Sequence, residues 1–268
     1  MPDPLGDISF TWYYILIFLI GYLSGSIPFG IILTKLSGYG DLTKIGSGNI
    51  GATNVLRTGN KLIASLTLVF DILKGLIPTI IILKTFNQDL AVVIASGSVL
   101  GHIFPFLLIN KIRRNIFFNI NIFVISFLAI NIIIFGKGIV SVVGIIIILI
   151  NLFFSWGGKS VATSLGVIIA LNPIIGIICI VTWLIVSLIF KYSSLSAIIC
   201  FTVAPSTAFI FSKISVESFY ATDQQIFEFY LFLCVIIWIR HIKNIKNLLS
   251  GKEPKIGKSS IESPLNKK

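Results

Sequence analysis

Residues 62–83 read Leu62-Ile63-Ala64-Ser65-Leu66-Thr67-Leu68-Val69-Phe70-Asp71-Ile72-Leu73-Lys74-Gly75-Leu76-Ile77-Pro78-Thr79-Ile80-Ile81-Ile82-Leu83. About 20 helical residues cross the hydrocarbon core of a bilayer, so a stretch of this length and texture predicts a membrane span. Asp71 and Lys74 interrupt it, three residues apart and hence on one helix face. Each such charge costs on the order of 2.5–3.5 kcal/mol near the bilayer centre. The two are expected to pair and to face the inside of a bundle, with a direct role at a site the equal alternative for Lys74.

The whole chain agrees with this segment. Its 268 residues are 56% hydrophobic and only 12% charged, and the mean hydropathy is +1.00. That excludes a soluble globule and predicts an all-α, polytopic transmembrane helical bundle forming a single integral-membrane domain over 1–268. The net charge of +11 sits in short loops and at the C-terminus. It therefore reads as the positive-inside signal and a contact with membrane lipids, and nucleic acid is not an expected partner. If the basic edges are cytoplasmic, the N-terminus is outside and the loop at 35–61 is inside. Cys179, Cys200 and Cys234 lie in apolar runs, and His102 and His241 are the only histidines. No disulfide, metal or cofactor is expected from them.

Working outward, spans are predicted at 11–33, 62–83 and 90–109, followed by two apolar runs at 116–135 and 139–154. Further apolar sequence from 161 to 190 is interrupted by Asn172-Pro173. Proline disfavours helix at the preceding residue, so two segments are expected to meet there, the first too short to cross alone. Spans at 197–211 and 226–239 precede a basic tail, 240–268, giving about nine in all. The unusual polar motifs then all fall on one face.

The first motif is Gly46-Ser47-Gly48-Asn49-Ile50-Gly51-Ala52-Thr53-Asn54-Val55-Leu56-Arg57. Irregular backbone beside a bilayer survives only when buried in protein or lining a wet cavity. Glycine permits close approach to a ligand, successive N–H groups form an anion-binding nest, and Arg57 offers a bidentate fork. Ser47, Asn49, Thr53 and Asn54 supply further polar groups for a phosphate. The second motif, Gly157-Gly158-Lys159-Ser160-Val161-Ala162-Thr163, resembles a fragment of a phosphate loop without its full spacing. The third begins at Arg240-His241-Ile242-Lys243-Asn244. It reads as a headgroup anchor, or as His241 and Asn244 facing the site one helical turn apart. Neither histidine is followed four residues later by Asp, so the His-x4-Asp signature of the large soluble and peripheral glycerolipid acyltransferases is missing.

These motifs, together with Ser24-Gly25-Ser26-Ile27-Pro28-Phe29-Gly30, Asp71-Ile72-Leu73-Lys74-Gly75, Gly101-His102-Ile103-Phe104-Pro105, residues 192–196, and 240–253 with Lys255, give a specific likeness. The chain resembles the bacterial acyl-phosphate:glycerol-3-phosphate acyltransferase family, small integral enzymes of the inner membrane that act early in phospholipid synthesis. The resemblance implies a seven-span core and transfer of a fatty acyl group from acyl phosphate to the 1-hydroxyl of glycerol 3-phosphate. It implies catalytic roles for Ser47, Arg57, His241 and Asn244. Substrate phosphate would be bound by Gly157, Gly158 and Lys159, with Asn49, Thr53, Asn54 and Thr163, while Asp71, Lys74 and Glu253 support the structure. The family usually runs continuously from its Gly-His-x-Phe-Pro stretch to the second motif; here residues 112–156 intervene as an expected extra hairpin. Ser160 stands where glycine is usual, Thr43 where a basic residue is common, and Asn247 where arginine is. A transporter of small organic anions, or an inactive relative, are the competing readings.

Overall fold

The computed structural model describes residues 11–105, 157–213 and 224–257. Among them the regular structure is helical, with no strand. The elements are α1 (Thr11–Gly25), α2 (Phe29–Leu36), α3 (Ala52–Val55), α4 (Lys61–Thr85), α5 (Gln88–Ile103), α6 (Val161–Leu171), α7 (Pro173–Phe190), α8 (Ser193–Lys213), α9 (Gln224–Arg240) and α10 (Ile242–Leu249). Short 3-10 turns, Leu42–Lys44 and Leu56–Thr58, flank α3. The hairpin expected at 112–156 lies outside the described residues.

Asparagine starts three of the apolar helices. Asn60, Asn87 and Asn172 accept hydrogen bonds from the N–H groups of Ile63, Leu90 and Ile175 at 3.0, 3.0 and 3.1 Å, satisfying donors that a helix start leaves orphaned. Pro173 at the first position of α7 loses nothing by lacking an N–H there, so α6 and α7 meet where Asn172-Pro173 predicts. The first span is broken rather than continuous. Pro28 separates α1 from α2, and the Ile27 carbonyl accepts from the Phe29 N–H at 3.1 Å and from the Lys74 ammonium at 2.9 Å.

Lipid supplies no hydrophobic force between helices, so close packing of small residues must hold them. Gly21 and Gly25 of α1 face Gly97 and Gly101 of α5. A Cβ on any of the four would collide with a carbonyl oxygen across the interface: Ile94, Ser98, Phe18 and Tyr22 respectively. The Tyr22 hydroxyl donates to Phe104 O at 2.6 Å along the same seam. Gly75 of α4 and Gly166 of α6 repeat the device, pressed on the carbonyls of Thr163 and Ile72. The core continues through Ile168, Ile175, Phe201, Leu233 and Tyr230, while Ile177, Val181, Leu184 and Leu188 of α7 point outward, exposed as a lipid-facing surface is. Cys179 and Cys200 are distant in sequence but neighbours in space: the Cys179 thiol reaches Cys200 O at 3.7 Å, and both thiols are free and buried. Helix α10 turns away from α9 by 60° and has its lysines and leucines on opposite sides, the form of a helix lying along an interface.

Gly101→Val is expected to destabilise the bundle by about 3 kcal/mol, the upper range for overpacking, and to lower the melting midpoint in detergent clearly more than Gly51→Val, whose added Cβ meets open space at an ordinary φ of −84°.

Candidate functional site

The first motif folds around one side chain. Asn54 is 1% exposed. Its amide N–H groups donate to the carbonyls of Leu42, Ile45 and Asn49 at 3.3, 2.9 and 2.8 Å. Its oxygen accepts from the Ser47 N–H at 3.0 Å and the Ser47 hydroxyl at 3.2 Å. Asn54 was expected among the phosphate contacts, but its hydrogen-bonding capacity is spent inside the loop. Gly46, at φ +52°, sits beneath Arg57: a Cβ there would strike Asn54 Oδ1 and the Arg57 side chain. Ser47 and Thr53 are exposed, Arg57 is half-buried, and Asn49 Oδ1 is buried with no hydrogen-bond partner among the described residues. A small apolar cluster of Leu42, Val55, Ile63 and Ala64 floors the loop. The loop thus has a fixed shape and offers Ser47, Thr53 and Arg57 outward.

The second motif is a tight turn leading into α6. Ser160 adopts a left-handed conformation, φ +60°, which glycine reaches without steric cost. Its hydroxyl donates to Val99 O at 3.2 Å, giving this serine a tie that a glycine lacks. Thr163, expected at the phosphate, is 0% exposed and packed on Gly75. Lys159 points instead to α10: its ammonium donates to Asn244 Oδ1 at 2.7 Å.

The third motif closes the other side. Arg240 donates to the carbonyls of Gly157 and Gly158 at 2.9 and 3.2 Å, clamping the turn that carries Lys159. Asn244 donates to a Glu253 carboxylate oxygen at 2.7 Å, and that oxygen also accepts from the Ser194 hydroxyl at 2.6 Å. The tail is held by Ile256 N–H to Lys191 O at 2.7 Å, and the Lys255 ammonium lies over the Tyr192 ring, 5.8 Å from its centre. Glu253 therefore ties tail, α8 and α10 together and orients Asn244 toward Lys159. His241, at the bend between α9 and α10, is 2% exposed, and its Nδ1 lies 2.8 Å from Ile237 O. That carbonyl can only accept, so Nδ1 carries the proton and Nε2 is the acceptor.

Electrostatics joins the three motifs. Burial lowers the Lys159 pKa to about 8; Glu253 opposes the shift, while Arg240, Arg57 and Lys243 add to it. Arg57 of the first motif is thus close enough to Lys159 of the second for their charges to repel. Burial and then Lys159 push His241 down to about 3, with Arg240 adding to the fall. The arrangement is a partly buried cluster of cations with one carboxylate partner, suited to polyanions and not to cationic ligands. Deeper in the bundle Asp71 pairs with Lys74 at 2.8 Å, both buried, as their spacing predicts.

The family model described as glycerol-3-phosphate acyltransferase matches residues 15–156 and again 117–251. A glycerol-3-phosphate acyltransferase of Bartonella henselae is 40% identical over 256 residues, 94% of this chain and 96% of the relative. The chain belongs to the glycerol-3-phosphate acyltransferase family. A relative of that name from Mesorhizobium japonicum is 36% identical over 247 residues, 92% of this chain and 98% of its own. Among solved structures, PlsY, described as an integral membrane glycerol 3-phosphate acyltransferase, is similar in its glycerol 3-phosphate form. The TM-score is 0.67 at 29% identity, covering 91% of this chain and 96% of PlsY. Its lysophosphatidic acid form gives a TM-score of 0.65 at 28% identity. Membership accounts for an integral, multi-pass bundle.

Sequence reasoning singled out Arg57, Lys159, Asn244 and Glu253 but missed what joins them. Arg240 reads as a headgroup anchor, yet it clamps the second motif. Ser194 carries no sequence signal beyond its place in the matched stretch 192–196, yet it shares the Glu253 carboxylate.

Asn54→Leu removes the hub of the first loop. Several backbone carbonyls lose their partner, at about 1–3 kcal/mol for each that stays buried. Limited proteolysis is expected to cut within residues 37–60 while the helices remain protected.

Proposed function

We propose that this chain transfers a fatty acyl group from acyl phosphate to the 1-hydroxyl of glycerol 3-phosphate, releasing 1-acylglycerol 3-phosphate and inorganic phosphate. The observation that carries the reading is that Arg57, Arg240 and Lys243 all lie within electrostatic reach of Lys159, the four coming from three separate motifs. One phosphate does not require so many cations, but two phosphorylated substrates meeting at one place do.

In this reading Lys159 and the 157–158 amides grip glycerol 3-phosphate, in keeping with the substrate named for PlsY. Arg57 and the Gly-rich loop take the phosphate of the acyl donor. The 1-hydroxyl oxygen attacks the acyl carbonyl, the bond from that carbon to the phosphate oxygen breaks, and phosphate departs with the electron pair. Loop N–H groups and the exposed Ser47 hydroxyl are the candidates to stabilise the developing oxyanion. Because phosphate is already a good leaving group, orientation supplies much of the rate, worth roughly 7–11 kcal/mol where two reactants are held in line. The proton goes to a substrate phosphate oxygen. Nε2 of His241 is the alternative acceptor, but a group depressed to about 3 is a weak base near neutral pH. His241 then serves as a neutral hydrogen-bonding group. Asn54 and Thr163 shape the site without touching phosphate, and Asn49 Oδ1 takes a substrate hydroxyl or ordered water. No cofactor or metal enters the reaction. The basic edges support a motif face on the cytoplasmic side of a bacterial inner membrane, with the N-terminus outside.

The test supplies radiolabelled glycerol 3-phosphate and acyl phosphate to the purified chain in vesicles. Lysophosphatidic acid is the expected product, and Arg57→Ala is expected to lower kcat/KM by about a hundredfold or more with unchanged insertion. Glycerol 3-phosphate flux without product would overturn the reading in favour of transport, and an undiminished Arg57→Ala rate would remove that residue from the site.

A further inference from the structure

The turn at 157–160 carries Lys159 but has no strand or helix of its own. Arg240 clamps it from one side, and the end of α5 fixes it from the other. The Gly158 N–H donates to His102 O at 3.1 Å. Gly158 also abuts the His102 imidazole, and a Cβ at that position would overlap Nε2. Gly157 is pressed on Ile103 O in the same way, and Ser160 is tied to Val99 O at 3.2 Å. The ring itself is 4% exposed, and its other nitrogen stands 3.8 Å from Asp71 Oδ1, an electrostatic contact longer than a hydrogen bond. Asp71 holds Lys74 at 2.8 Å, and Lys74 donates to Ile27 O at 2.9 Å, where the first span breaks. Helix α2 follows that break and presses Gly30 on Ile50 O, inside the first motif.

We infer that His102 is a positioning residue for the Lys159 phosphate grip, seating the 157–158 turn against the buried Asp71–Lys74 pair that also fixes the entry to the first motif. His102 touches no substrate in this arrangement. Its ring fills the space that Gly158 leaves by having no side chain, so glycine and imidazole form one fitted contact. The chain His102–Asp71–Lys74–Ile27 keeps the two phosphate grips in register. The inference rests on the acyl-transfer reading for its kinetic consequence and on the packing alone for its structural one.

The experiment compares wild type, His102→Ala, Gly158→Ala and the double variant as full-length protein in vesicles. KM for glycerol 3-phosphate, KM for acyl phosphate and the melting midpoint are measured for each. His102→Ala is expected to raise KM for glycerol 3-phosphate about tenfold, since small misplacements at such sites are costly, and to leave KM for acyl phosphate within about twofold. Gly158→Ala is expected to be worse alone than in the double variant, because removing the ring makes room for the new methyl group. Equal changes in both KM values, or multiplicative effects of the two substitutions, would overturn the inference. A wild type that forms no lysophosphatidic acid would overturn the reaction reading instead. The melting midpoints then still decide the contact: rescue of Gly158→Ala by His102→Ala supports it, and additive losses refute it.

Discussion

Like charges repel, and this protein holds several together at the edge of a bundle. Lys159 feels Arg57, Arg240 and Lys243, with Glu253 as its carboxylate counterweight. Such a cluster does not assemble by attraction between its members; the fold must impose it. The restraints are neutral or oppositely charged: Asn244 on Lys159, Glu253 on Asn244, and the carbonyls of Gly157 and Gly158 on Arg240. The cluster is electrostatically unfavourable in itself, and on the proposed reading a phosphate relieves it, so that packing free energy serves anion affinity.

The bundle supplies that imposition through backbone contact. Four glycines at the α1–α5 seam and two at the α4–α6 seam bring helices close enough for carbonyls to touch the facing chain, where the dispersion contacts of lipid-embedded helices are made. Interfaces so tight have little freedom to slide. The motifs at their ends inherit that rigidity, which suits a reaction governed by placement.

Much of this was legible in the residues. The 22-residue run at 62–83 announced a span, Asp71 and Lys74 an ion pair, and Asn172-Pro173 a helix junction. Those signals are local, and local physics dictates them. The first motif was legible as a site but not in its division of labour. Asn54 and Ser47 look alike as polar loop residues, and only the folded loop makes one its buried hub and leaves the other outward. Thr163 shows the same limit: it lies one helical turn from Lys159 in sequence, but its carbonyl and methyl pack on Gly75 of α4. Cys179 and Cys200 became neighbours through a helix pairing that spacing does not encode. His102 is packed at the end of α5, and nothing local points to its partner Gly158, which lies beyond an intervening segment.

The central claim is that Arg57 and Lys159 share one pocket, and the pH dependence of glycerol 3-phosphate binding tests it directly. On the proposed reading Lys159 binds the anion when protonated, so affinity should fall as pH rises through about 8. Neutralising Arg57 as Arg57→Gln removes a nearby positive charge, favours the protonated ammonium and should move that half-point upward, whatever happens to the affinity itself. A half-point that stays in place in Arg57→Gln would mean that the two cations do not sense each other, and the shared pocket would be refuted.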